Sequence, residues 1–127
     1  MSVKTYPKRA NIRLSPHFTT AEFDCKCRHA TCRVTYVDEA LVLKLEEARA
    51  ILGCPIYINS GFRCTYHNQK IRGKPGSQHL QGKAVDITTR GKHTPKQLVK
   101  VVGQLFDGVG VYPTWVHVDT RGYPARW

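Results

Sequence analysis

No apolar run in this 127-residue sequence approaches the roughly 18 residues needed to cross a bilayer. The longest greasy stretch, Ala40 to Leu52, is interrupted by Lys44, Glu46, Glu47 and Arg49 and reads as an amphipathic helix rather than a membrane span. The segment from Met1 to Leu14 carries Lys4, Lys8, Arg9 and Arg13 with no apolar region behind them, so no cleavable secretion signal is expected. On that reading the chain stays in the cytoplasm until another route releases it. Internal repeats, low-complexity tracts and a linker are missing too, which excludes solenoids and a two-module layout. Acidic residues are scarce: nine Asp and Glu stand against twenty Lys and Arg, a net charge of +11. The surface is therefore electropositive, suited to a polyanion such as nucleic acid, anionic lipid or the bacterial wall.

What is present is enough to fold. Hydrophobic residues make up 41% and charged residues 23%, outside the range of disordered chains. The length fits a single domain, residues 1–127, with 1–14 as an extended N-terminal arm. Thr19 and Glu22 have capping-box spacing and start a short helical turn. Asp38 is a natural N-cap for a helix with apolar positions Leu41, Leu45, Ala48 and Leu52, ended by Gly53 and Pro55. Thr94-Pro95-x-Gln97 opens another helix, with Leu98, Val101, Val102 and Leu105 as its buried stripe. Short strands are expected at Ile56 to Ile58, Ala84 to Ile87, Gly108 to Tyr112 and Trp115 to Thr120, with a short helix over Cys64 to Ile71 and a cysteine-rich loop reaching Val37. The last two strands are too close for a crossover helix and must be antiparallel, so the class is α+β.

Five cysteines are an odd number, so at least one is unpaired within the chain. Cys25, Cys27 and Cys32 are bunched, while Cys54 and Cys64 flank the first predicted strand. The cluster admits three readings: a structural metal, disulfides to Cys54 or Cys64, or buried thiols. Cys-x-Cys-x4-Cys is not the Cys-x2-Cys pair of common zinc knuckles, and a metal would need a fourth ligand from elsewhere.

Three residues call for chemistry. Asp86 sits inside an apolar strand, where a carboxylate is costly unless paired, hydrogen-bonded or bound to a cation. His79 lies seven residues earlier, and His117 lies in the second strand of the final hairpin. Two imidazoles and a carboxylate, with a fourth position left to water, are the donor set of a catalytic rather than a structural zinc. Each residue alone has a bland alternative: a hydrogen-bonded core histidine, or an aspartate paired with one of the many cations.

Together, Ser77-x-His79-x-x-Gly82-x-Ala84-x-Asp86 and the later His117-Val118-Asp119 closely resemble the zinc D-alanyl-D-alanine carboxypeptidase family, in its branch ending in His-Val-Asp. Ser60-Gly61-Phe62-Arg63-Cys64-x-x-His67-Asn68 resembles the same family's arginine-bearing turn, so the likeness runs from Phe18 to Arg121. It implies the fold shared by these peptidases and the Hedgehog signalling domain: a small antiparallel sheet backed by helices. It also implies Zn2+ held by His79, Asp86 and His117, and hydrolysis of peptide bonds in peptidoglycan stem peptides by a carboxypeptidase or endopeptidase, acting as a monomer. Arg63 matches the arginine that meets a substrate carboxylate, and Ser77 a residue that bonds the substrate backbone or supports the metal. Tyr112 and Trp115 flank His117 closely enough to line the cleft or to fill the core. The family's best-known members carry an acid three residues before the last histidine, where this chain has Thr114. Asp119 shares a strand face with His117 and is the candidate proton acceptor, or else orients His117 or pairs with Arg121.

The expected setting is a phage lysin or a virion-associated enzyme. A non-catalytic zinc-bearing wall-binding module is the alternative. Specific nucleic-acid binding is not expected, since no RNA-binding aromatic motif or clear recognition helix accompanies the charge.

Overall fold

The computed structural model describes all 127 residues. In chain order the strands and helices are β1 (Val3–Pro7), β2 (Arg13–Ser15), β3 (Phe18–Thr19), β4 (Val34–Asp38), α1 (Glu39–Leu52), β5 (Tyr57–Ser60), α2 (Thr65–Lys70), β6 (Ala84–Thr88), α3 (Pro95–Val102), β7 (Gly108–Val111), β8 (Val116–Asp119) and β9 (Ala125–Arg126). Short 3-10 turns cover Thr20–Phe23 and Gln78–Gln81. The class is α+β, and the sheet departs from expectation in one respect. Its order is β5-β6-β8-β7-β9, and β9 joins β7 in parallel, so the sheet is mixed rather than wholly antiparallel. Residues 1–14, read above as an extended arm, hold β1 and β2, which pair antiparallel with β4 and β3.

The helices begin and end for local reasons. At the start of α1, the Asp38 side chain accepts from the Ala40 amide at 3.2 Å, and Gly53 ends the helix in the left-handed region. In α3 the expected capping box forms: Thr94 N–H donates to Gln97 Oε1 at 2.9 Å, and Gln97 N–H to Thr94 Oγ1 at 3.2 Å.

Side-chain alternation divides the sheet into two unlike faces. Val85, Ile87, Val109, Val116 and Val118 point to one side and join Leu41, Leu45 and Ala48 of α1 and Leu98 and Val102 of α3 in the apolar core. Asp86, His117 and Gly110 are cross-strand neighbours on the other side, as are Ala84, Asp119 and Gly108. The apolar face anchors the strands, and the polar face is thereby left free for chemistry.

The β2–β3 corner is tied to α1 through one carboxylate. Glu46 accepts from Ser15 Oγ at 2.5 Å and from the His17 amide at 2.8 Å, and its other oxygen lies 2.7 Å from His17 Nδ1. Burial alone would raise the pKa of Glu46, but these bonds to Ser15 and His17 hold it below its ordinary value. A depressed carboxylate stabilises the fold at pH above its unfolded pKa of about 4.3, and that contribution is lost as the pH falls through the lower folded value. Glu46→Gln is therefore expected to cost about 1–2 kcal/mol at pH 7, and the gap from wild type should close by pH 3 in urea unfolding curves.

Candidate metal centre

His79 stands on the 3-10 turn Gln78–Gln81, which Ser77 caps by accepting from the His79 amide at 3.2 Å. The turn is closed by Gly82 at φ +74, where a Cβ would come within 2.4 Å of the Tyr36 carbonyl oxygen, so only glycine fits. Gly82 in turn accepts from the Asp38 amide at 2.9 Å, fixing the turn against β4. Asp86 and His117 face each other in register on β6 and β8, the two central strands that meet along the sheet. All three side chains are buried, and their donor atoms lie within 4.8 Å of one another.

The hydrogen bonds decide which nitrogen of each ring faces inward. His79 Nδ1 is 2.8 Å from the Gly61 carbonyl oxygen, which can only accept, so Nδ1 carries the proton and Nε2 offers its lone pair. His117 Nε2 is 2.7 Å from Asp119 Oδ2, so it donates there and Nδ1 faces the centre. His79 Nε2 and His117 Nδ1 then approach the same oxygen, Asp86 Oδ1, at 3.2 and 3.3 Å. Two lone pairs aimed at a carboxylate repel it, so each inward nitrogen needs either a proton or a metal cation between it and Asp86. Atoms bound tetrahedrally at ~2.0–2.2 Å to one ion sit about 3.3 Å apart, which is the spacing found. The donor set therefore fits a divalent metal.

Burial would push the Asp86 carboxyl up, but hydrogen bonds and charge from His117 and His79 hold it well below the usual carboxylate range. His117 shows the converse: burial opposes its cation, while Asp119 and Asp86 raise its pKa above the ordinary histidine value.

Arg63 lies over the centre with its side chain only 14% exposed. Its NH2 group donates to Asp86 Oδ2 at 3.2 Å, Nε to Ser60 Oγ at 3.3 Å, and NH1 makes a long 3.5 Å contact with Asn68 Oδ1. Buried Asn68 also donates to the Lys74 carbonyl at 2.9 Å, which fits the ordering of the arginine turn. Beside Arg63 opens a cavity of about 490 Å3, lined by Ser77, His79, Asp86, Tyr112, Trp115 and His117 among others. Tyr112 and Trp115 stack with ring centroids 4.7 Å apart, forming a wall of the cleft rather than core.

Asp119, the candidate proton acceptor in sequence, lies behind His117 and outside the cavity lining. It is 0% exposed and does not line the cavity. Oδ2 takes His117 Nε2–H, and Arg121 covers both oxygens, with Nε at 3.0 and 3.1 Å and NH2 at 2.7 Å. Burial would raise its pKa, but His117 and Arg121 hold it well below the usual carboxylate range, so it is a weak base. Two residues along a strand do share a face, but here Arg121 binds both carboxylate oxygens of Asp119 and itself lines the cavity. That geometry suits the other reading of Asp119, a carboxylate that orients the His117 ring while paired with Arg121.

Sequence reasoning missed part of the rim. Arg72, Lys74, Arg121 and Trp127 line the cavity with Arg63. The Trp127 ring lies 4.9 Å from that of His117, and its Nε1 donates to Tyr112 Oη at 2.9 Å. A usable signal was Gly108-x-Gly110: two small residues on one strand face leave room for Asp119 and for the Trp127 indole.

Sheet, helices and donor set together define a class: a small α+β protein with a two-histidine, one-carboxylate candidate metal centre in a cationic cleft. A family model described as Peptidase M15 matches residues 16–119, most of the sequence, and the chain belongs to that family of metal-dependent peptidases. The membership bears out the family read from the motifs, though it does not extend to the branch ending in His-Val-Asp. No curated protein matches the chain. No helix is long and apolar enough to cross a membrane.

Proposed function

We propose that the protein is a zinc metallopeptidase that hydrolyses a peptide bond in peptidoglycan stem peptides, as a D-alanyl-D-alanine carboxypeptidase or a murein endopeptidase. The observation that carries the reading is the convergence of His79 Nε2, Asp86 Oδ1 and His117 Nδ1 at the floor of a cleft. A divalent ion held there would activate water and polarise a scissile carbonyl. The chain's own residues supply the rest. Asp119 fixes the His117 ring, and Gly61 the His79 ring. Arg63, Arg72, Lys74 and Arg121 make the cleft electropositive, suited to the carboxylates of a stem peptide, with Arg63 offering a planar fork to one of them. Stacked Tyr112 and Trp115 present an apolar wall to the small side chains of such a peptide. In this reading the fold is of the Hedgehog/DD-peptidase type, the chain works as a single domain, and the +11 charge holds it on an acidic wall after release from a cell or virion.

One observation favours a second reading. Apart from Asp86, no carboxylate lines the cavity, and Thr114 is exposed, so a non-catalytic zinc-bearing wall-binding module is the competitor. Mass spectrometry of purified murein incubated with the zinc-loaded protein separates the two. The peptidase yields new free amines, with released D-alanine for a carboxypeptidase or split cross-links for an endopeptidase. Chelation stops turnover and added zinc restores it. Intact murein that sediments with a fully zinc-loaded protein would establish the binding module instead.

A further inference from the structure

We propose that Cys25, Cys27, Cys32 and Cys64 hold a second metal ion, a structural zinc in a closed four-thiolate site, which fastens the N-terminal segment to the turn that carries Arg63. The four sulfurs lie within 4.8 Å of one another, although Cys64 is far from the other three in sequence. Cys64 Sγ is 3.7 Å from Cys25 Sγ and 3.6 Å from Cys27 Sγ. Sulfurs bound tetrahedrally to zinc at ~2.3 Å sit about 3.8 Å apart, whereas a disulfide requires about 2.05 Å. The spacing found is that of a shared ion, and two disulfides would need the sulfurs to close by well over an ångström.

The surroundings suit thiolates. The Cys64 amide donates to Cys25 Sγ, and the His67 amide to Cys64 Sγ, both at 3.4 Å. Zinc with four thiolates carries two net negative charges, and one cation is positioned to offset them. The Lys8 ammonium reaches Cys32 Sγ at 3.5 Å and Cys27 Sγ at 3.6 Å, and is anchored on the Cys27 carbonyl at 3.0 Å. The odd cysteine count is also explained: Cys54 stands apart, beside His93. With all four positions taken by protein there is no room for substrate, so the site is structural. Cys64 follows Arg63 directly and caps α2. An ion there holds the Cys25–Cys32 loop, α2 and the Arg63 backbone as one unit.

Metal analysis of protein purified under a thiol reductant tests the site. Wild type is expected to carry two zinc ions per chain. The double variant His79→Ala/His117→Ala should keep one, Cys27→Ser/Cys32→Ser should lose the other, and Cys54→Ser should keep both. Because the cysteine variant can fail to fold, cobalt loading of the histidine double variant gives a second reading: intense near-ultraviolet sulfur-to-cobalt charge-transfer bands are expected. One zinc in wild type that disappears in the histidine double variant would overturn the proposal. So would an intact mass lacking the four hydrogens that two disulfides remove. Neither result bears on peptidase activity, so the second site can fail while the first stands.

Discussion

His117→Ala is expected to lower peptidase activity on murein by on the order of a thousandfold or more and to remove one metal ion per chain. Loss of an outer partner of a ligand histidine typically costs 10–100-fold, and loss of the ligand itself must cost more. The fold should survive. His117 stands on the polar face of β8, between Asp86 and Gly110, while the core on the opposite face rests on Val116 and Val118. Its removal leaves a hollow open to the cleft instead of a void in the core, but it also deletes the 2.7 Å bond to buried Asp119, so the unfolding free energy of the metal-free protein should fall by about 1–3 kcal/mol. Activity assays, metal analysis and urea unfolding check the three parts. Activity near wild type would show that the three donor atoms do not work as one centre.

Asp119→Asn gives the opposite balance, a moderate loss at the centre with a large loss of stability. The change keeps the shape of the side chain and removes its charge from beneath Arg121, which is itself only 17% exposed. Breaking a buried, hydrogen-bonded ion pair costs roughly 3–5 kcal/mol because the surviving charge is stranded. The amide still accepts from His117 Nε2–H, more weakly than a carboxylate, so metal affinity at this centre should fall by about 10–100-fold. Chelator competition at 25 °C reads the affinity, and denaturation of the metal-free protein reads the stability. Gly108→Ala should reproduce the effect from the neighbouring strand, since its Cβ would come within 2.1 Å of the Asp119 carboxylate. A catalytic proton acceptor would behave differently: Asp119→Asn would then abolish turnover while leaving metal affinity unchanged.

The contrast between these two residues shows which parts of the molecule were legible in sequence. Asp86 and His117 declared themselves as polar groups inside apolar strands, because such placements are costly without a partner. The helices α1 and α3 were legible from Asp38, Gly53, Thr94 and Pro95, whose effects act within a turn of the chain. The surroundings of Asp119 were legible only as alternatives, since its face is set by strand alternation but its environment by Arg121 folding back over it. β9 was invisible for a similar reason. Two residues carry no periodicity, and the strand exists through backbone bonds from the Ala125 amide to Asp107 and from the Trp127 amide to Val109. β4 hid within the expected cysteine-rich loop because its partner, β1, lies some thirty residues upstream. Cys64 likewise joins the cysteine cluster only through the path of β5 and α2.

The two faces of the sheet also separate what must stay constant from what is free to vary. Asp86 and His117 are placed by the pairing of β6 with β8, which is locked by a dry interior that tolerates little editing, and His79 by its glycine-closed turn against β4. The cleft walls come from connecting segments, 72–76 on one side and 112–115 on the other, that add little to that interior and stop short of the Ser77 cap of the His79 turn. Exchanging those two loops for others is therefore a route to redirecting bond preference while the reactive floor stays intact, and a library confined to them explores substrate choice without gambling on folding.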